Sequence, residues 1–381
     1  TRSGRSITAT DNHSFVLRKN NRIVPVAGRA LKKGDRIPVL RQLPLEKPAS
    51  EFELEELFPK ELYWHGSELR KAMETGGHGL GFTVPVGAEQ LHNRLNHESV
   101  FDVEDGFVYP VQHHGNVRMP ERLPLDAPTG WFIGAYLSEG SAAKYFVSIS
   151  NTDETFLQRA RDFAERLNAG YSEKDNFRGF AKGHDLSIHS SLLSEFLAKT
   201  CGKGSRHKRV PEFAFSARED FCGSLLRAYF EGDGNVNVER AVIRASSLSE
   251  ELLQGIALLL NRLGIFGRIR REKIGYSLVI SHRYAAAFKE KIGFDSAKKK
   301  NALDRLCNLP SGRTSYDAVE MIDGFGDLLL ETARKTGIPS RLVNNFTKKQ
   351  LVGKTVLRKY AGIFAEAAAK NGVDIEKDLE P

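Results

Sequence analysis

Cysteine is scarce in this sequence: Cys201, Cys222 and Cys307 are the only three in 381 residues. They stand too far apart for a CxxC metal site and are too few for a disulfide framework, so a reducing, cytoplasmic setting is expected. No apolar run approaches the length that spans a bilayer, and the opening TRSGRSITAT has no apolar signal core. Position 1 is Thr rather than Met, which suggests a chain cut from something longer. The charged fraction is an ordinary 27%, as for a folded protein of several domains, but its balance is basic: 56 Lys and Arg against 48 Asp and Glu give a net +8. That surplus fits a polyanionic partner without proving one.

Charge is also sparse in two particular stretches, FIGAYLSEG around Glu139 and LLRAYFEGDG around Asp233. Each is an apolar run that closes on an acid followed at once by Gly. Gly134 lies five residues before the first acid and Ala228 five before the second. Small residues there let two helices approach closely, and Gly140 and Gly234 are expected to end them with a positive φ. Two carboxylates brought together repel, and hard divalent cations such as Mg²⁺ or Mn²⁺ relieve that repulsion. Either stretch alone reads as a core helix with a terminal acid. The pair points to metal-assisted phosphodiester chemistry with Glu139 and Asp233 as catalytic and metal-ligating residues.

The surroundings of the two stretches also repeat. A strand YFVSIS and a helix ETFLQRARDFAERL follow the first, and AVIRASS and SEELLQGIALLLNRL follow the second. The acids are 94 positions apart, and Arg166 and Arg262 are 96 apart, a difference of two residues in one hairpin. Phe196 and Phe288 align in a further hairpin and helix. Residues 126–310 thus read as two αββαββα halves, 126–215 and 216–310, forming a pseudo-twofold α+β molecule and a monomer. Antiparallel ribbons fit the DNA major groove. Alternation along YFVSIS sets Tyr145, Val147 and Ile149 against Phe146, Ser148 and Ser150. In the second half, Arg240, Val242 and Arg244 are expected on one face, offering Arg240 and Arg244 to DNA.

The flanks are less regular. Residues 1–45 read as four short strands, SITAT, SFVLRK, RIVPVAG and RIPVLR, with Thr10 three residues before His13. Residues 46–125 read as a linker or small module, with a helix at EFELEELFPKELYW. His92-Asn93 and the pair His113 and His114 are expected on the surface. Residues 311–381 read as helices stopped by Gly337 and Gly372, carrying Arg341, Lys348, Lys349, Lys354, Arg358 and Lys359. They suggest a helix-turn-helix-like DNA-binding arm, with Lys348, Lys354 and Arg358 as contacts.

Two resemblances bear on function. The paired stretches resemble the LAGLIDADG homing endonucleases, with Glu139 standing where the motif more often has Asp. That resemblance implies double-stranded DNA as partner, Mg²⁺ or Mn²⁺ held by the two acids, and cutting of both strands of a long target to leave short 3′ overhangs. It also implies lysines near the cleavage centre, for which Lys208 and Lys298, within the triplet Lys298, Lys299 and Lys300, are the candidates. The block GRSITATDNHSF with LKKGDRIPV resembles the second conserved block of inteins. It implies an all-β splicing (Hint) segment in which Thr10 and His13 hold and protonate the scissile amide, with a host protein as flanking extein. The segment is partial: position 1 lacks a Cys or Ser nucleophile and the chain does not end in His-Asn, so it is not expected to splice. The alternative is a catalytically inactive DNA-binding remnant, a splicing cofactor or a maturase.

Overall fold

The computed structural model describes residues 1, 3–19, 22–39, 42–54, 57, 101–110, 117–178, 181–309 and 321–375. His92, Asn93, His113 and His114 lie outside the described residues. The chain forms two compact units, Thr1–Arg41 with Ser311–Pro381, and Gln42–Pro310.

In the first unit, β1 (Ser14–Lys19) pairs antiparallel with β2 (Arg22–Ala27), Ser14 opposite Ala27. The expected strands at 6–10 and 36–41 do not form among the described residues. A strand needs a neighbour for its N–H and C=O groups, and β1 and β2 use each other.

In the second unit, β3 (Glu51–Glu53) leads to β4 (Phe101–Glu104), β5 (Phe107–Pro110), β6 (Met119–Pro120) and β7 (Arg122–Pro124). β3 pairs with β7, and β4, β5 and β6 form a three-stranded sheet. The expected helix from residue 51 therefore begins as a strand. Its acids Glu51 and Glu53 are exposed, while Phe52 packs on Phe213 at 4.6 Å and Leu54 is fully buried, which is the period of two of a half-buried strand.

The repeat then unfolds as two copies of one pattern. The first is α1 (Ala127–Glu139), β8 (Gly140–Ala142), β9 (Val147–Ser150), α2 (Glu154–Arg166), β10 (Tyr171–Arg178), β11 (Ala181–Ile188) and α3 (Ser191–Cys201). The second is α4 (Glu219–Asp233), β12 (Gly234–Asn237), β13 (Val242–Ser247), α5 (Glu250–Arg262), β14 (Gly267–Arg271), β15 (Tyr276–Ser281) and α6 (Ala285–Lys291), followed by α7 (Ala297–Cys307). The sheets run β8-β9-β11-β10 and β12-β13-β15-β14, the same order in both halves. Caps fix the helix starts: Asp126, Asp153 and Ser249 accept the backbone N–H of Thr129, Phe156 and Leu252. The aligned Phe196 and Phe288 are both buried.

The first unit resumes with β16 (Met321–Asp323), α8 (Gly326–Lys335), α9 (Asn344–Lys349), β17 (Leu351–Gly353) and α10 (Lys354–Asn371). β16 pairs with β17, and Leu329, Val343, Val352, Phe364 and Ala368 share a core. Gly337 and Gly372 follow α8 and α10 with φ of 73° and 65°, the left-handed stops expected there.

Candidate active site

α1 and α4 are in backbone contact. A Cβ on Gly130 would lie 2.3 Å from the Phe221 carbonyl oxygen, and one on Gly134 would lie 2.1 Å from that of Leu225 and 3.0 Å from Ala228 Cβ. Glycine inside a helix costs about 1 kcal/mol relative to Ala, and here it permits an approach that no side chain would allow. The contact persists to the helix feet, where a Cβ on Gly232 would sit 2.4 Å from Ser138 Oγ and 2.9 Å from Glu139 Cγ. Glu139 therefore sits against the α4 residue that precedes Asp233.

Gly140 and Gly234 do not take the expected positive φ. Their φ/ψ are −91/154° and −91/152°, because each helix passes straight into a strand, β8 or β12. Glycine is needed there for space. A Cβ would meet Tyr136 Cα at 2.5 Å in one case and the Phe230 carbonyl oxygen at 2.2 Å in the other.

The last carbonyls of both helices have acceptor capacity to spare, even where Gly140 and Gly234 N–H donate to Tyr136 and Phe230, and a lysine serves each end. Lys208, only 6% exposed, donates to the carbonyls of Tyr136 (2.7 Å), Leu137 (3.1 Å) and Gly140 (2.8 Å). Lys299 donates to the carbonyls of Phe230 (3.1 Å) and Glu231. Phe230 and Glu231 are the repeat equivalents of Tyr136 and Leu137, 94 positions on. Lys298, the residue favoured from the sequence, is exposed on α7, and its neighbour Lys299 occupies the place instead. Sequence spacing hides this, since Lys208 comes from a loop and Lys299 from a helix. Glu231 is 8% exposed and accepts the backbone N–H of Asp295 at 2.8 Å, so it is an anchor for the chain before α7.

Burial dominates the electrostatics. It raises the Glu139 carboxyl above its ordinary range, opposed by Lys208 and Lys299. It also raises Asp233, with help from the Glu139 charge, to about 7. Burial lowers Lys208 to about 8 against the pull of both acids, and lowers Lys299 as well. Two acids and two ammonium groups thus form a nearly balanced cluster, in which Lys208 is buried, Glu139 and Lys299 are half-buried and Asp233 is exposed. Its donor set suits a hard divalent cation: two carboxylates, raised by burial and mutual repulsion, whose charged form such an ion would favour. The described residues hold no group of three or more His, Cys, Asp or Glu placed for a metal. Mg²⁺ is commonly held by one or two carboxylates together with water and substrate phosphate oxygens, so the two acids fit it.

The expected alternation holds in β13 but not along YFVSIS, where Tyr145 and Phe146 precede β9 and are exposed and Ser148 is buried beside Val147 and Ile149. In β13, Ile243 and Ala245 are buried and Arg244 points away from them, 3.2 Å from Glu272. Arg240 does not share that face. It lies in the hairpin turn, its N–H held by Asn237 Oδ1 at 2.8 Å, ahead of Ala241 with φ 52°. Across the ladders Arg244 lies opposite Val279, which lies opposite Arg268 of β14, so Arg268 and Arg270 share the Arg244 face. The alternation R-I-R in β14 was a signal the sequence offered for them. In the other unit, Lys348, Lys354 and Arg358 are all exposed. Thr10 and His13 are exposed in one turn, with His13 N–H donating to the Thr10 carbonyl at 3.0 Å and Gly28 N–H to the His13 carbonyl at 2.8 Å.

Comparison with known proteins agrees with this geometry. Residues 220–293 match the family model described as LAGLIDADG-like domain. The DNA-directed RNA polymerase subunit Rpo1C of Methanocaldococcus jannaschii is 39% identical over 376 residues, 98% of this chain and 39% of that protein. The probable translation initiation factor IF-2 of Thermococcus kodakarensis is 33% identical over 194 residues, 50% of this chain and 16% of that protein. The chain thus spans well under half the length of these relatives. Among solved structures, the homing endonuclease I-DmoI in complex with DNA and Mn is similar with 16% identity and a TM-score of 0.36, over 44% of this chain and 97% of that one. No described helix is long and apolar enough to cross a membrane. Two αββαββα halves thus pack through glycine-bearing helices that each end in an acid, and the second of them is matched by the LAGLIDADG-like domain model.

Proposed function

We propose that this chain is a site-specific homing endonuclease that makes a divalent-metal-dependent double-strand cut in DNA, and that it is borne by an intein. The observation that carries the reading is the pair of acids, Glu139 and Asp233, at the touching feet of α1 and α4, each helix end held by its own lysine. Glu139 and Asp233 would hold Mg²⁺ or Mn²⁺, which when bound supplies charge neutralisation at the phosphoryl oxygens and activation of water. Lys208 and Lys299 neutralise the negative ends of the two helices and keep the acids from drifting apart. The arginine-bearing face of the second sheet gives DNA a cationic surface through Arg244 and its ladder neighbours. The exposed Lys348, Lys354 and Arg358 offer a second grip on the DNA backbone.

The intein setting has independent support. An RNA polymerase subunit and a translation initiation factor serve different processes, yet both contain a stretch similar to this chain and occupying a minority of their length. A mobile insert produces that pattern. Residues 1–45 would then be its splicing segment, with Thr10 and His13 in one turn as the groups that hold and protonate the scissile amide.

The test is a supercoiled plasmid carrying the host gene with the insert removed and its flanks joined. Incubation with the protein and Mg²⁺ should give linear DNA, whereas Glu139→Gln and Asp233→Asn should bind the plasmid without cutting it. Failure of the parent protein to linearise that plasmid overturns the reading in favour of a DNA-binding remnant. The two intact acid–lysine pairs weigh against such decay.

A further inference from the structure

The two lysines are braced from opposite halves of the molecule. Lys208 lies after α3 in the first half, but its own carbonyl accepts the Ser249 hydroxyl at 2.7 Å, and Ser249 is the N-cap of α5 in the second half. Ser249 is 3% exposed and simultaneously accepts the Leu252 N–H at 3.1 Å, so its rotamer is fixed by two bonds. Two residues on, Val210 is seated on the same helix, where a Cβ on Gly255 would come within 2.7 Å of Val210 Cβ. Lys299 is braced in the reverse direction. Asp295, just ahead of α7, accepts Arg159 Nη2 at 3.1 Å, and Arg159 belongs to α2 of the first half. The Arg159 guanidinium also lies over the Trp131 ring of α1, 5.6 Å from its centre. Within the second half, Glu231 holds the Asp295 N–H, and Arg227 stands 4.0 Å from its carboxylate while donating to the Ile292 carbonyl at 2.6 Å.

We propose that Ser249 and Arg159 are positioning residues, each setting the lysine that serves the opposite half, so that neither acid–lysine pair is complete unless the two halves are docked. The inference rests on the endonuclease reading for its consequence, the coupling of the two strand cuts, but not for the lysine positions themselves. Repeat comparison does not reveal it. With the offset of 96 that relates the second helices, Ser249 corresponds to Asp153 and Arg159 to Gly255, so the two braces arose from different chemistry at different positions. A device of this kind would keep a partly opened protein from leaving a one-strand nick.

The test uses the full chain with Ser249→Ala, Arg159→Met and Arg159→Lys. First, brief acetylation followed by mass spectrometry reads the exposure of each lysine, with the exposed Lys298 as internal reference. Ser249→Ala should speed labelling of Lys208 and leave Lys299 unchanged. Arg159→Met should do the reverse, and Arg159→Lys should restore slow labelling of Lys299. Both lysines speeding up together in either variant would mean general loosening and would overturn the proposal, as would no change. Second, cleavage of a target labelled on each strand should show opposite biases in Ser249→Ala and Arg159→Met. Displacing a catalytic group by about 1 Å can cost about a hundredfold, so a bias of about tenfold between strands is expected. Equal slowing of both strands overturns the coupling. A parent protein that cuts neither strand, with labelling as predicted, overturns the endonuclease reading and leaves the bracing intact.

Discussion

Replacing Asp233 by Asn removes one charge from the cluster and keeps the side chain's shape. Burial, aided by the Glu139 carboxylate, moves Asp233 from 3.8 up to about 7. The unfolded chain ionises this group near 3.8, so folding becomes less favourable as pH rises between 3.8 and about 7, with no further change on either side of that window. Asp233 is nonetheless exposed, so water screens the repulsion and holds the effect above pH 7 to about 1 kcal/mol. A net gain of about 1 kcal/mol in metal-free protein at pH 8 is therefore expected, falling below about 0.5 kcal/mol at pH 5. The assay is denaturant unfolding in chelator at both pH values. Trp131, 3% exposed on α1, reports on the helix pair. Saturating Mg²⁺ should narrow the difference by stabilising the parent protein, since a ligand at a hundred times its Kd adds about 2.7 kcal/mol. An Asp233→Asn protein no more stable than its parent at pH 8, or a gain equally large at pH 5, refutes the argument that the acids are held together against their own repulsion.

Gly134→Ala places a methyl 2.1 Å from the Leu225 carbonyl oxygen and should cost about 3 kcal/mol of stability or more in the same assay. Gly170→Ala, with open space around its Cβ, should stay within about 1 kcal/mol of the parent. Lys208→Met leaves three carbonyls without their ammonium partner and should lower stability by about 3 kcal/mol. Calorimetric titration with Mg²⁺ at pH 7 should also show weaker binding, since Asp233 and Glu139 lose a charge that favours their ionised forms. Arg244→Ala with Arg270→Ala should flatten the dependence of log K for DNA on log salt by a slope of about 2, and an unchanged slope would remove that sheet face from the DNA interface.

The acids, the repeat and the order of its elements were legible in the sequence because each leaves a signal of its own. A largely apolar run has to be buried, a terminal acid breaks it, and a second copy at a nearly constant offset marks a repeat. What escaped was whatever depends on contacts between distant segments. The two motif glycines look like helix stops, and only the packed structure shows that Tyr136 and Phe230 exclude a Cβ while φ stays negative. Lys299 was hidden in a triplet because a helix and a loop deliver the two lysines, which breaks the spacing. β3 was hidden by its acids, which suggest a helix until Phe52 and Leu54 are seen to take the buried side. The same reasoning explains why the cross-braces are the least legible feature. Catalytic groups in a duplicated protein inherit their spacing from the duplication, whereas bonds across the junction between halves can arise only after it, one side at a time. Ser249 and Arg159 accordingly share no position, residue type or partner. Their equivalence lies in what each holds, a lysine at the foot of the opposite helix, and that can be read only once both halves are folded against each other.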